Sequence, residues 1–277
     1  MRLATWLCLV MVGCGADSPQ PHHGGIGGSA VPPTAATAPD PGPTTLVAVP
    51  AGEYRPLFPG RNGPTAVPVG SFALERTPVT NAQFLAFVAA EPQWRRSRVP
   101  SLFADSGYLA DWHDDLTPPP DADTRPVTAV SWFAAKAYAG WRGRRLPTLA
   151  EWEAVAALPL ADGGDVARAV LAWYAKPATG TTARLGTGTV NNLGIADLHG
   201  LVWEWVLDFG GAMVTGDARS NSDLQRSLFC GAGAAGSARP DDYAAFMRMA
   251  MRSSLQGRHS TRTLGFRCAA DSPPSLR

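Results

Sequence analysis

The sequence contains little charge and no real excess of either sign. Charged residues make up 17% of its 277 residues, and the formal net charge is +1. Among the basic residues, Lys136 and Lys176 are the only lysines. A chain this close to neutral has no bulk electrostatic attraction to polyanions. The composition therefore excludes non-specific nucleic-acid binding, and no nucleic-acid partner is expected.

The composition also argues against a helical bundle or a coiled coil. The chain contains 29 Gly and 25 Pro, which favour a loop-rich fold, while 45% hydrophobic residues suffice for a packed core. A single domain of this length buries roughly three-quarters of its unfolded surface, so neither a disulfide nor a metal is needed simply to fold. The apolar run from Leu3 to Val12 is too short to span a bilayer as a helix.

The N-terminus has the pattern of a secretion signal. A positive start at Arg2 precedes the apolar run, and Gly13 and Cys14 follow it. This junction resembles the lipobox of bacterial lipoproteins, which implies that residues 1–13 are removed and that Cys14 carries a lipid. A lipidated cysteine anchors a protein to a membrane without spanning it. We expect a bacterial cell-envelope protein on the periplasmic or outer-membrane side; an ordinary signal with a coincidental cysteine is the alternative.

The rest of the chain divides by composition into three parts. Residues 14–43 are rich in Pro, Gly and Ala with few large apolar side chains, which predicts a disordered tether after the lipidated cysteine. Residues 44–271 form the predicted folded domain, and residues 272–277 a short tail. No internal repeat and no second domain boundary are expected.

Only two cysteines belong to the predicted domain. Cys8 leaves with the signal and Cys14 takes the lipid, so Cys230 and Cys268 remain. Outside the cytoplasm such a pair favours a disulfide over two free thiols. The alternative is two buried, inert thiols.

Capping signals predict three helices in the first half of the domain. Thr80 is an expected N-cap, Ser131 starts a second helix, and Thr148 with Glu151 forms a capping box before a third. Alternating apolar residues predict strands near residues 46–54 and 67–74. Beyond Leu160 the chain is expected to be mostly loops. Together these elements predict an α+β domain.

Several segments in order resemble the formylglycine-generating enzyme (sulfatase-modifying factor) family. The most specific read GRRLPTLAEWE and NLGIADLHGLVWEW. The resemblance covers nearly all of residues 44–270 and implies a C-type-lectin-like α+β fold with little regular secondary structure. The segments that carry it are 47–54, 78–84, 125–132, 143–153, 192–205 and 264–268.

The resemblance also bears on catalysis. Oxidases of this family bind copper through two close cysteines between an RGGSW strand and the final GFR strand. Here that strand begins at Cys230, where the family has arginine, and residues 235–262 contain no cysteine. The resemblance therefore implies that the copper site is absent, so no copper and no catalytic residue are predicted. An oxidoreductase that uses Cys230 and Cys268 as a relocated thiol pair is the alternative.

One structural calcium site of the family is expected to survive. The resemblance assigns its ligands to the side chains of Asp197 and Glu204 and to the backbone carbonyls of Gly200 and Val202. Oxygen ligands of this kind suit Ca²⁺. The alternative is that Glu204 instead forms a salt bridge.

Residues 236–262 form a segment rich in arginine, aromatic residues and methionine. Its candidate interaction residues are Arg239, Asp241, Tyr243, Arg248 and Arg252, because arginine and aromatic side chains often anchor protein interfaces. The alternation of methionines favours a strand with one buried face; a copper-handling methionine patch is a further alternative. The methionines are Met247, Met249 and Met251.

These features predict a membrane-anchored binding or accessory lipoprotein without catalytic activity. Its protein partner is unknown, and a periplasmic respiratory or metal-enzyme system is one setting in which it could serve. The missing catalytic cysteines and the lipoprotein signal are the observations behind this hypothesis.

Overall fold

The computed structural model describes residues 44–56, 65–176, 183–209 and 240–271, without the side chains of residues 240–242. The predicted signal, Cys14, the tether and the tail lie outside these ranges, as do Cys230, Arg239 and the side chain of Asp241. No helix in the described ranges is long and apolar enough to cross a membrane.

A three-stranded antiparallel sheet joins the two ends of the domain. Its strands are β1 (Leu46–Val49), β4 (Phe72–Glu75) and β7 (Ala269–Asp271), and β4 lies in the middle. Two smaller pairs accompany it. Strands β2 (Gly52–Tyr54) and β3 (Val67–Val69) are antiparallel, while β5 (Trp203–Glu204) and β6 (Leu264–Gly265) are parallel.

The first three helices begin at the predicted N-caps. They are α1 (Asn81–Ala90), α2 (Trp132–Trp141) and α3 (Leu149–Ala156). Thr80 and Thr148 each form a complete capping box, and the Ser131 side chain accepts a hydrogen bond from Ala134 N. A short 3₁₀ helix, Pro92–Trp94, follows α1.

Two further helices correct the sequence prediction. Helix α4 (Val166–Tyr174) is capped by Asp165 in a region expected to consist of loops. Helix α5 (Pro240–Ser253) contains the three methionines, so the predicted strand is wrong. The helical face that it buries carries Ala244, Arg248 and Arg252 at four-residue spacing, whereas alternation over only five residues cannot separate a strand from a helix.

The core consists of two clusters of buried side chains. In the larger one, Phe84 contacts Tyr138 and Phe266 with ring centroids 5.8 and 6.1 Å apart. The smaller one packs Phe72 and Leu74 of β4 against Trp152 of α3. Each such side chain contributes about 1.5–3 kcal/mol on burial. The mixture of helices and small sheets confirms the α+β prediction.

Candidate functional site

A buried carboxylate on α3 is paired with two arginines of α5. Arg248 donates to Glu153 through Nε, 3.1 Å from either carboxylate oxygen, and through Nη2 at 2.8 Å. Arg252 Nη1 donates to the other oxygen. Because the two arginines are four residues apart, both project from the same helical face. We call Glu153, Arg248 and Arg252 the Glu153 cluster.

The electrostatics of this cluster follow from its burial. Burial alone would raise the pKa of Glu153, but the guanidinium groups of Arg248 and Arg252 outweigh it and lower that pKa to about 2. The pKa of Arg248 is raised, because the attraction of Glu153 outweighs the effect of burial. All three groups are therefore charged at neutral pH.

The titratable groups around the cluster are neutral. Burial raises the pKa of Tyr54 to about 12, and the charge of Glu153 adds to this effect. Burial likewise raises the pKa of Tyr174 to about 12. The pKa of His199 is lowered to about 4, first by burial and then by repulsion from Arg248. None of these groups changes the charge of the cluster at neutral pH.

The Glu153 cluster lies in the wall of a cavity of about 690 Å³. Strand β2 and helices α3, α4 and α5 enclose it, and Glu53, Arg55 and Asp165 also line it. Small and apolar side chains form most of the remaining wall; they are Ala154, Ala157, Val166, Ala167, Val170, Ala244 and Met249. A cavity of this volume is within the range of sites for small organic molecules.

Trp152 connects the cluster to a second buried charge centre. The Arg252 guanidinium lies over the Trp152 ring, 4.6 Å from its centroid, in a cation–π contact. The indole Nε1 donates to Glu204 Oε2 at 2.8 Å. The Trp152 side chain thus touches Arg252 with its ring face and Glu204 with its nitrogen.

Glu204 forms a fully buried ion pair with Arg267. Arg267 Nε and Nη2 donate to the two carboxylate oxygens at 2.8 Å each, and both side chains are 0% exposed. The other guanidinium bonds go to the backbone carbonyls of Glu75, Arg76 and Ala196. Such a bidentate pair with further hydrogen bonds is the geometry in which a buried salt bridge is satisfied.

Asp197 is also fully buried but makes no salt bridge with any described residue. Its carboxylate accepts hydrogen bonds from Gly186 N at 2.6 Å and Gly188 N at 2.8 Å. Its backbone is left-handed, with φ of 62°. A Cβ at Gly188 would lie 2.8 Å from Asp197 Oδ1, so this close approach requires glycine. We call Glu204 and Arg267 the Glu204 centre.

The carboxylates assigned to calcium already have partners. Glu204 forms the salt bridge with Arg267 that was the alternative to calcium, and the Asp197 carboxylate accepts two backbone N–H groups. The Arg267 Nη2 bond to the Ala196 carbonyl at 2.9 Å holds the chain next to Asp197 beside the Glu204 pair. In the described ranges no three His, Cys, Asp or Glu side chains lie close enough together to hold a metal ion. The calcium site therefore stays a prediction.

Cys268 is a fully buried thiol that forms no disulfide with any described residue. Its backbone N donates to Glu75 Oε2 at 2.7 Å. Burial, with the nearby Glu75 carboxylate, raises the pKa of the thiol well above its ordinary value. Since Cys230 lies outside the described residues, the disulfide stays a prediction.

The structure corrects the predicted interaction residues. Arg248 and Arg252 have side chains only 11% and 5% exposed, so they pair with Glu153 rather than face a partner. Tyr243 is partly exposed. Sequence reasoning missed Glu153 and Arg267 as functional or structural partners. The four-residue spacing of Arg248 and Arg252 was the available signal, because it places both on one face of a helix.

The chain is similar to several known proteins. A family model described as "Sulfatase-modifying factor enzyme 1-like domain" matches residues 32–272. A formylglycine-generating enzyme of Streptomyces coelicolor is 30% identical over 306 residues, covering 86% of this chain and 95% of that enzyme. A hercynine oxygenase of Mycolicibacterium thermoresistibile is 31% identical over 166 residues, covering 50% of this chain and 36% of the oxygenase. The solved structure of CarF aligns with a TM-score of 0.49 and 20% identity, over 83% of this chain and 99% of CarF.

Proposed function

Since this chain belongs to the family of sulfatase-modifying factor enzyme 1-like domains, we propose that it is a membrane-anchored, non-catalytic binding protein on that scaffold. The observation that carries the proposal is the cysteine content. Residues 235–262, where the copper-binding thiols of the oxidases would fall, contain no cysteine. Soft thiolate ligands are what Cu(I) requires, so oxygen activation by that route has no ligands here.

The alternative oxidase would use Cys230 and Cys268 as a relocated thiol pair. A reactive thiol needs exposure and a lowered pKa, because the thiolate is the nucleophile and the metal ligand. Cys268 has neither property: it is 0% exposed, and burial raises its pKa. The surroundings of Cys268 therefore favour the non-catalytic proposal.

A peptide assay tests the absence of oxidase activity. A sulfatase peptide that contains the target cysteine is incubated with the protein, copper and a reductant, beside the formylglycine-generating enzyme of Streptomyces coelicolor as positive control. We expect the peptide to remain unchanged. Aldehyde product above a control with copper and reductant alone would refute the non-catalytic assignment.

Membrane anchoring through Cys14 is part of the same proposal, and so is service to an envelope respiratory or metal-enzyme system. The apolar run before Gly13 and Cys14 supports the membrane anchor. Mass spectrometry of the membrane fraction should show a diacylglyceryl group on the peptide that begins at Cys14. Retention of residues 1–13, or an unmodified Cys14, would contradict the anchor.

Calcium is proposed only as a structural ion. Asp197 and Glu204 would hold it with the carbonyls of Gly200 and Val202. Bound there, the ion would supply positive charge that neutralises buried carboxylates and fixes the loop. It has no role in a chemical step.

A further inference from the structure

The Glu153 cluster has an excess of positive charge. One carboxylate faces two guanidinium groups, and the neighbouring Tyr54, Tyr174 and His199 are neutral at pH 7. The cluster therefore carries a net charge of about +1 in a largely buried position. Buried charges are costly unless they are paired, so this arrangement favours a further anion.

The other acidic groups near the cluster are engaged elsewhere. Glu204 shares a small void with Arg248 and Arg252 but is held by Arg267 in a bidentate pair. Glu53 is paired with Arg55 in an exposed salt bridge, with side chains 50% and 76% exposed. Asp165 is exposed, and its carboxylate caps α4 by accepting a hydrogen bond from Arg168 N at 2.8 Å. Water and salt screen such exposed charges, whereas the buried guanidinium groups are screened much less.

Arg252 retains donors for a ligand. In hydrogen bonds among the described residues, it uses Nη1 alone, so Nε and Nη2 remain available. The Trp152 ring lies 4.6 Å from the centre of this guanidinium and restricts its movement. Since Arg248 and Arg252 both line the cavity, a ligand there can reach them without displacing Glu153.

The cavity walls suit an apolar body attached to the anionic group. Ala154 and Ala156 of α3, Ala167 of α4, and Ala244 and Ala245 of α5 leave the space open where larger side chains would fill it. Sites for small molecules typically combine apolar walls with a few placed polar groups. This cavity likewise combines apolar walls with the guanidinium groups of Arg248 and Arg252.

We propose that this cavity binds a small organic anion, with a carboxylate, phosphate or sulfate group held by Arg248 and Arg252 and an apolar body against the alanines of α3, α4 and α5. Guanidinium groups recognise such oxyanions with charge-assisted, often bidentate hydrogen bonds. The proposal deepens the binding role proposed above and rests on it, because it names a ligand class for a protein without the family's oxidase site.

Isothermal titration calorimetry on the full lipidated chain in nanodiscs tests this site. The probes are naphthoate and naphthyl phosphate, with neutral naphthylmethanol and inorganic phosphate as controls for the body and for the head group. We expect both naphthyl anions to bind at least ~10-fold more tightly than the alcohol, since hydrogen bonds to charged groups are worth ~1.5–3 kcal/mol. The two anionic heads distinguish a carboxylate ligand from a phosphate ligand. Empty nanodiscs provide the correction for partition into lipid.

Two variants locate the binding. Arg248→Gln leaves Glu153 paired with Arg252 and should weaken the naphthyl anions at least ~10-fold. Arg168→Gln removes an exposed arginine from α4 and is the matched control, expected to bind like the wild type. Ala245→Phe should block the cavity while leaving the Glu153 cluster in place.

The proposal is overturned if the alcohol binds as tightly as the anions. It is also overturned if Arg248→Gln binds no more weakly than Arg168→Gln, or if Ala245→Phe, still folded by its melting curve, binds like the wild type. These results are independent of the peptide assay. Anion binding together with aldehyde formation would reject the non-catalytic role and keep the site, whereas no binding and no aldehyde would reject the site alone.

Discussion

The Glu153 cluster and the Glu204 centre lie against the same tryptophan but differ in charge balance. The Glu204 centre has one carboxylate and one guanidinium, and both side chains are inaccessible to solvent. The Glu153 cluster has one carboxylate and two guanidinium groups and lines a cavity. An enclosed ion pair and an ion pair that faces a cavity can share residue types and still differ in what they can bind. The enclosed pair is balanced within itself, whereas the extra guanidinium beside the cavity suits an anion.

The largest effect is expected from breaking the enclosed pair. Arg267→Met leaves Glu204 buried without its partner and removes donors to three backbone carbonyls. We expect a loss of about 3–5 kcal/mol in the free energy of unfolding, measured by urea denaturation. Arg262→Met is the control, because its salt bridge with Asp111 is exposed and should be worth less than ~1 kcal/mol. Equal stabilities of the two variants would contradict this account.

The Glu153 cluster should respond unequally to the loss of its members. Glu153→Gln leaves two buried guanidinium groups without a counter-ion, so we expect a loss of about 3 kcal/mol. Arg248→Gln leaves a one-to-one pair of Glu153 with Arg252 and should cost clearly less, about 1.5 kcal/mol for the charge-assisted hydrogen bonds lost, measured in the same denaturation series. If Arg248→Gln cost as much as Glu153→Gln, the claim of an excess positive charge would be wrong.

Lowering the pH should destabilise the wild type more than the Glu153→Gln variant. The pKa of Glu153 is lowered in the fold from its ordinary value of 4.5 to about 2. This group therefore adds stability that is fully present above pH 4.5 and is lost as the pH falls toward 2. Roughly 3 kcal/mol of acid-dependent stability should disappear in Glu153→Gln, seen as a flatter melting temperature between those pH values. An unchanged acid slope in the variant would contradict the lowered pKa.

Calcium gives the smallest expected effect. If Asp197 and Glu204 bind the ion, stability rises by about 2.7 kcal/mol at one hundred times Kd, so a chelator should lower the melting temperature. Asp197→Asn should lose this chelator effect, whereas Asp165→Asn, at an exposed helix cap, should keep it. Identical melting curves of the wild type in calcium and in chelator would remove Asp197 and Glu204 from consideration as ligands.

The parts of the fold that depend on local chemistry could be predicted. Thr80, Ser131 and Thr148 each cap a helix through a hydrogen bond to a residue three positions later, so a few neighbouring residues specify the start of the helix. Helix α5 was missed because its methionines alternate like strand residues over a short stretch, while its helical face becomes apparent only over the full element.

The candidate site could not be predicted in the same way. Glu153 and Arg248 are 95 positions apart in the chain, and Glu204 and Arg267 are 63 apart. Only the family resemblance pointed to Asp197 and Glu204, and it did so as calcium ligands. Which arginine pairs with which carboxylate depends on the packing of α5 against the rest of the fold, and single-sequence patterns do not contain this information.

The central strand β4 has a consequence for how the protein is made. Glu75, at its end, accepts a hydrogen bond from Cys268 N across a separation of 193 residues, and β7 completes the sheet beside it. A ribosome releases β4 long before β7, so the sheet stays open on one side until synthesis of the domain is nearly finished. Contacts this far apart are slow to form and leave exposed strand edges in the meantime. The nascent chain should therefore depend on chaperones that cover such edges until its last strand emerges.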